Sequence, residues 1–453
     1  MWPIPGRPGL IGVLSDIQEP PRTLWGILRS IGPGLILTAN IVGTGELIAT
    51  TRLGSQVGFT LLWFIVLACL IKVFVQVELG RYTIAEGVGS LRILDRLPGP
   101  RLVVGWAVLL WFLMYLSTLC QMAAMVGGVA EIFSGSQGGA GNAAWALGLA
   151  AATAVVLLVG RYGLVEKAST FMVVGFTLSS VLAVVLLQFT AFRVGAADVA
   201  SGLSFRLPAN LVTAFAVFGI TGVGAAELMF YPIWCLEKGY ARAVGPRDGS
   251  PEWEARARGW LRVMRWDAWC SMAVYTVGTA CFYLLGAGIL NRQGRLVDDK
   301  DPLGTLSAMY TETYGDAGRW IFIVGAFMVL YSTYFVSTAS NARLFADAVL
   351  LKRGGSRTAL IRAGVVGIAA LTTGLYLAVK KPVTLVLIGG TGQALMLPFL
   401  AFAAVWCRSR VPPALRAGRA RTAALFTAFL LMAALGLFQS WDSVRKIAAL
   451  IGS

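Results

Sequence analysis

The chain has 453 residues, of which 57% are hydrophobic and 13% charged, and its mean hydropathy is +0.73. That much apolar surface does not fit inside one water-soluble core, so the bilayer is its solvent and its spanning segments are helices or a closed barrel. The net charge of +16 does not point to nucleic acid, because the basic residues sit in loops between apolar runs. The runs are long and continuous rather than short and alternating, which disfavours a barrel. The chain contains no histidine, which excludes histidine metal ligands, proton relays and triads. Cys69, Cys120, Cys235, Cys270, Cys281 and Cys407 lie in or beside apolar runs without a CxxC spacing. They read as small buried hydrophobes, not as disulfides or a zinc site. No nucleophile–base pair or phosphate loop is visible, so the sequence predicts neither an enzyme nor a bound cofactor.

In chain order, residues 1–30 are polar and proline-rich, lack the pattern of a cleaved signal peptide, and read as a cytosolic tail. Apolar runs long enough to span follow near 33–54, 59–80, 102–127, 143–160, 168–192, 208–234, 267–290, 319–340, 359–379, 384–406 and 422–438. These predict an all-α membrane protein of about eleven transmembrane helices. Alternate loops hold most of the Lys and Arg, including the stretch from Lys238 to Arg265 and the group from Arg408 to Arg421. By the positive-inside rule this predicts the N-terminus inside, and the odd count then puts the C-terminus outside, in an inner membrane. Within the long basic loop, Ser250-Pro251-Glu252 offers a cap, a first-turn proline and a first-turn acid, which predicts a short interfacial helix over 250–264. The loop after span seven carries Asp298, Asp299, Asp301, Glu312 and Asp316, either a cation-gathering mouth or a solvated face. Ser332, Thr333, Ser337, Thr338 and Asn341 form a polar stripe in span eight, which lines a path or hydrogen-bonds between helices.

Two spans share an interruption. The first reads Asn40-Ile41-Val42-Gly43-Thr44-Gly45-Glu46-Leu47, the second Gly222-Val223-Gly224-Ala225-Ala226-Glu227-Leu228. Each glycine lowers helix propensity by about 1 kcal/mol relative to alanine, so paired glycines beside a carboxylate predict a helix break. A break exposes carbonyls of one half-helix and N–H groups of the other, which form solute and ion sites near the midplane of transporters. A charge at the bilayer centre costs about 2.5–3.5 kcal/mol on insertion scales, so Glu46 and Glu227 are functional candidates. Together they suit a cation or a shared proton. The alternative is that each merely pairs with a basic group such as Lys72 or Arg52, or with a backbone donor. Glycines in spans one and six are the offset of a five-plus-five inverted repeat, with residues 31–192 as the first copy, 208–406 as the second, and 407–453 as span eleven with a tail.

These residues resemble the Nramp family of divalent-metal transporters. The likeness is carried by Gly32-Pro33-Gly34, by Gly54 through Trp63, by Gln76 with Gly80-Arg81-Tyr82-Thr83-Ile84-Ala85-Glu86-Gly87, and by Leu397-Pro398-Phe399. It implies a LeuT-type fold with helices one and six broken and the solute site between them. The chain departs from the family where the site lies. Gly43-Thr44-Gly45-Glu46 replaces Asp-Pro-Gly-Asn, and Gly224-Ala225-Ala226-Glu227 replaces the Met-Pro-His region. Span three carries Gln121, Met122 and Met125 where the family's proton pathway has acids. The expectation is a hard oxygen site, suited to magnesium, calcium or manganese. Its ligand positions are Glu46 and Glu227 with Val42, Gly43, Thr44, Gly45, Gly222, Val223, Gly224 and Ala226, and Ile41 contributing a carbonyl. Gln121, Asn341 and Gln393 are path-lining candidates. The sequence thus points to alternating-access transport of a divalent cation, magnesium or manganese favoured, with the lipid bilayer as its environment and no nucleic acid or obligatory protein partner. The alternative is a same-fold carrier of a small organic or anionic solute.

Overall fold

The computed structural model describes residues 16–43, 45–134, 140–159, 162–206, 218, 221–298, 301–379 and 382–451. Among these there is no β-strand. The first apolar run is not one helix. Helix α1 (Leu24–Ser30) lies inside the predicted tail and is capped by the Thr23 hydroxyl, which accepts from the Gly26 N–H. It meets α2 (Pro33–Ile41) at a 56° bend. The chain leaves the helix at Val42 and Gly43 and re-enters it through a π-helical turn, Gly45–Thr50, that leads into α3 (Thr51–Val57).

Next come α4 (Leu62–Glu86), α5 (Ser90–Asp95), α6 (Trp106–Ser134), α7 (Ala140–Val159), α8 (Tyr162–Leu187) and α9 (Ala196–Gly202). The sixth predicted span, 208–234, is described at Phe218 and from residue 221 onward; its second half is α10 (Ala225–Lys238). The chain continues through α11 (Tyr240–Val244), α12 (Pro251–Leu285), α13 (Pro302–Leu350), α14 (Arg357–Val379), α15 (Pro382–Arg410) and α16 (Arg419–Ile451). Among the described residues nine helices are long and apolar enough to cross a membrane, ten if α1 and α2 count as one bent span.

One expectation needs correcting. Ser250 does cap a helix, its hydroxyl accepting from the Trp253 N–H, but that helix does not stop at 264. It runs unbroken to Leu285 as α12, carrying the basic segment and span seven on one rod. No glycine or proline interrupts 252–277 except Gly259, so nothing in the backbone ends the helix where the charges end.

α4 is the central helix, with 72% of its apolar stretch buried, against 22% for α16 at the rim. The outward faces are apolar. On α8, Phe171, Val174, Leu178, Leu182 and Val185 are all exposed and recur at helical spacing. A stripe of this kind on a bundle is a lipid-facing surface. At the end of the bundle nearest the basic loop, Asp267 of α12 fixes the start of α2. Its two oxygens accept from the Gly32 and Gly34 N–H groups at 2.8 and 2.7 Å, and the Tyr231 hydroxyl of α10 donates to it at 2.9 Å. The first-turn donors of α2 are thus satisfied by a buried carboxylate from across the bundle. Lys238 and Glu166 pair at 2.6 Å beside it, tying α10 to α8.

In the loop after span seven, Asp301 caps α13 by accepting from the Gly304 N–H, and Glu312 pairs with Arg295 at 2.6 Å. These two acids of the predicted mouth are therefore used structurally. Asp299 lies outside the described residues.

Candidate functional site

The two breaks face each other across a small enclosed cavity of about 30 Å³. Glu46 and Glu227 both line it and both are buried, at 1% and 7% exposure. Glu46 sits in the first turn after the span-one break. One of its oxygens accepts from the Gly43 N–H at 3.2 Å, within its own segment. The other accepts from the Gly222 N–H at 3.1 Å, in the span-six break. One carboxylate therefore staples the two interrupted helices together. Two glycines make this approach possible. Gly222 has φ +70°, a conformation side chains rarely adopt, and a β-carbon there would sit 3.1 Å from the Cys69 Cα. A β-carbon on Gly43 would lie 2.7 Å from the Thr333 hydroxyl oxygen.

Glu227 occupies the first turn of α10, where the unpaired N–H groups favour a negative charge. Its Oε1 accepts from the Asn40 side-chain amide at 2.5 Å. Asn40 is held in turn by the Ser337 hydroxyl of α13, which donates to its carbonyl oxygen at 2.7 Å. On the opposite wall the Gln393 amide of α15 donates to Gln121 of α6 at 2.6 Å, while the Gln393 carbonyl oxygen accepts from the Ala226 N–H at 3.2 Å. Five spans thus converge on one cavity.

Most of the predicted site residues meet here: Glu46, Glu227, Gly43, Gly45, Gly222, Gly224 and Ala226 line the cavity, as do Gln121 and Gln393 and the expected carbonyl donor Ile41. Val42 and Val223 do not; both are fully buried, and the Val42 carbonyl accepts from the Thr333 hydroxyl at 3.1 Å. Asn341 does not line it either, because its amide is turned to the Ser337 carbonyl and the Met122 sulfur. Thr44 lies outside the described residues. Within the polar stripe, Thr333 and Ser337 reach the cavity, whereas Ser332 and Thr338 bond back to their own helix.

Sequence reasoning missed Asn40 and Thr118. Asn40 carried a usable signal, since an amide in an apolar run wants a buried partner. Met125 also lines the cavity, so the wall expected to be all oxygen includes a thioether side chain. Lys72 is fully buried, and its ammonium donates to the Phe218 and Thr221 carbonyls at 2.5 and 2.7 Å. It satisfies backbone acceptors that the span-six break exposes. No cluster of three or more Cys, Asp or Glu side chains with metal-holding geometry occurs among the described residues. Any cation here therefore meets two carboxylates and otherwise neutral donors.

A membrane bundle with two helices broken at one level, and a carboxylate in the first turn beyond each break, has the architecture of a secondary transporter. A family model described as natural resistance-associated macrophage protein-like, Nramp, matches residues 34–442, and the chain belongs to that family. Among curated relatives it is similar to the divalent metal cation transporter MntH of Yersinia enterocolitica, 23% identical over 279 residues. That match spans 60% of this chain and 64% of the relative, so less than two thirds of the relative's length is covered. Among solved structures, a manganese transporter of Eremococcus coleocola superposes with a TM-score of 0.69 at 15% identity, covering 96% of this chain and 95% of that one. MhsT in complex with L-phenylalanine gives 0.55 at 11% identity, covering 94% and 99%. These likenesses establish the LeuT-type fold.

Proposed function

We propose that the chain carries a divalent metal cation across the membrane by alternating access, through the cavity between the two breaks. The observation that carries this is the pair of buried carboxylates, one from each break, on a cavity of about 30 Å³. That volume holds an ion with a water or two and is far below what an organic solute needs, which argues against the organic-solute alternative. The names of the relatives support the same class of solute. Carboxylate, amide and hydroxyl oxygens suit magnesium or manganese, and Met125 on the wall weighs toward manganese, the softer of the two. We place the protein in an inner membrane with its basic loops inside.

A cation between the carboxylates draws on the same Glu46 oxygens that accept from the Gly43 and Gly222 N–H groups, so loading weakens those two bonds in exchange for the metal contact. Loading and the relative motion of the broken helices are coupled through that exchange. The test is calorimetric binding of magnesium, manganese and calcium to purified protein and to a Glu46→Gln, Glu227→Gln double variant. Saturable binding to the wild type that the variant lacks is the expected result. A folded wild type that binds none of the three sinks the proposal.

A further inference from the structure

A second concavity, of about 520 Å³, opens at the end of the bundle where α4, α5 and α15 finish. Its wall contains four arginines, Arg96, Arg101, Arg247 and Arg410, with the aromatic rings of Tyr82 and Trp406 between them. The acids nearby do not balance these charges. Glu86 pairs with Arg247 at 2.8 Å, and Asp95 pairs with Arg101 at 2.9 Å. Arg96 donates to the Tyr82 hydroxyl at 3.2 Å, and the Arg410 guanidinium stacks 5.1 Å over Trp406. Among the described residues neither Arg96 nor Arg410 has a carboxylate within ion-pair distance. Two guanidinium groups thus face the same open volume, held in place by rings rather than by counter-charges.

We infer that this concavity binds a phosphate-bearing anion. A guanidinium presents a planar fork of N–H donors that matches phosphate oxygens two at a time. Four forks against two carboxylates leave a surplus that a dianionic or phosphodiester group neutralises. The volume falls within the range of ligand sites, roughly 300–1,000 Å³, and far exceeds a bare ion's needs. Trp406 closes the end of a membrane-spanning helix, where an amphipathic ring sits at headgroup depth, so a lipid phosphate reaches this level from the bilayer and a soluble phosphate from the water. Both sources present the same chemistry to the arginines. The site also has a mechanical reach: α15 carries Gln393, which lines the central cavity, and α4 carries Lys72, which holds carbonyls at the span-six break, so an anion bridging their ends braces both helices.

The experiment uses full-length protein in nanodiscs of neutral phosphatidylcholine, titrated in one arm with phosphatidylglycerol and in the other with pyrophosphate. Saturable binding in either arm, weakened by salt, is expected, and the arm that saturates identifies the source. Arg96→Gln with Arg410→Gln should weaken that binding about thirtyfold, roughly fivefold for each arginine lost near a phosphate surface. Arg96→Lys with Arg410→Lys, which keeps the charge but not the fork, should recover part of it. Arg319→Gln, a charge removed from exposed α13 elsewhere, should leave it unchanged. The inference is overturned if the wild type saturates with neither probe, or if the glutamine pair binds as tightly as the wild type.

Discussion

Glu46 and Glu227 reach the same cavity from equivalent places in two broken helices, yet they are held differently. Glu46 spends both oxygens on backbone N–H groups, one from each break. Glu227 accepts from one side-chain amide across the bundle, Asn40, which depends on a hydroxyl from a third helix, and its backbone donors, at Gly224 and Glu227, belong to its own break. A backbone donor moves only when its helix moves, whereas a side-chain donor swings by rotamer. Glu46 therefore ties one break to the other, whereas Glu227 is tied to its own; on the proposed function, Glu46 is the carboxylate that couples ion binding to helix position.

Substituting the two glutamates separately breaks this comparison most sharply. Glu46→Gln puts an amide N–H against one of two backbone N–H donors, so it should cost about 3 kcal/mol in thermal unfolding and abolish metal-driven flux in proteoliposomes. Equal stability of variant and wild type would remove Glu46's stapling role. Asn40→Ala strips Glu227 of its side-chain donor and leaves the Ser337 hydroxyl unmatched, with an expected cost of about 2 kcal/mol and weaker metal binding by calorimetry. Glu227→Gln retains an oxygen for Asn40 but turns an amide N–H toward the first-turn N–H groups of its own helix rather than across two breaks, so stability should fall by about 1 kcal/mol, less than at Glu46, while divalent binding is lost. A large loss of stability here would make the two carboxylates equivalent after all.

The smallest effect lies outside the membrane, at Asp95. Burial pushes its carboxyl up, but the Gly105 N–H and the Arg101 side chain outweigh that and hold it below the usual range. A depressed carboxyl stabilises the fold above its unfolded pKa and loses that contribution as pH falls through the folded value. The wild type should therefore lose a little stability below about pH 4 that Asp95→Asn does not lose, read from melting curves across pH.

Much of this arrangement is legible in the residues. Glycines ahead of Glu46 and Glu227 mark both breaks, because a weak helix former beside a carboxylate in an apolar run favours an interrupted helix over a continuous one. The partners are not legible. Asn40 meets Glu227, and Gln121 meets Gln393, only through the register of helices packed across the bundle, which no local pattern encodes. The full length of α12 is hidden for a related reason. Hydropathy reports where a helix enters lipid, not where it stops, and α12 crosses that boundary without a breaker. Position along the chain alone suggests Val42 and Val223 as ligands, but a break turns its carbonyls in several directions, and Val42's is turned to Thr333.

The charge of the cavity has a consequence for energetics. On the proposed function, a divalent cation that enters between Glu46 and Glu227 without displacing a proton raises the net charge of the centre by two. An electric field across the membrane, negative inside, then favours the inner side more for the loaded centre than for the empty one. Each elementary charge crossing the full field is worth about 2.3 kcal/mol per 100 mV. A lysine seated on the carbonyls of Phe218 and Thr221 adds the same positive charge to the loaded and the empty centre, so on the proposed function it offsets both without changing the difference between them.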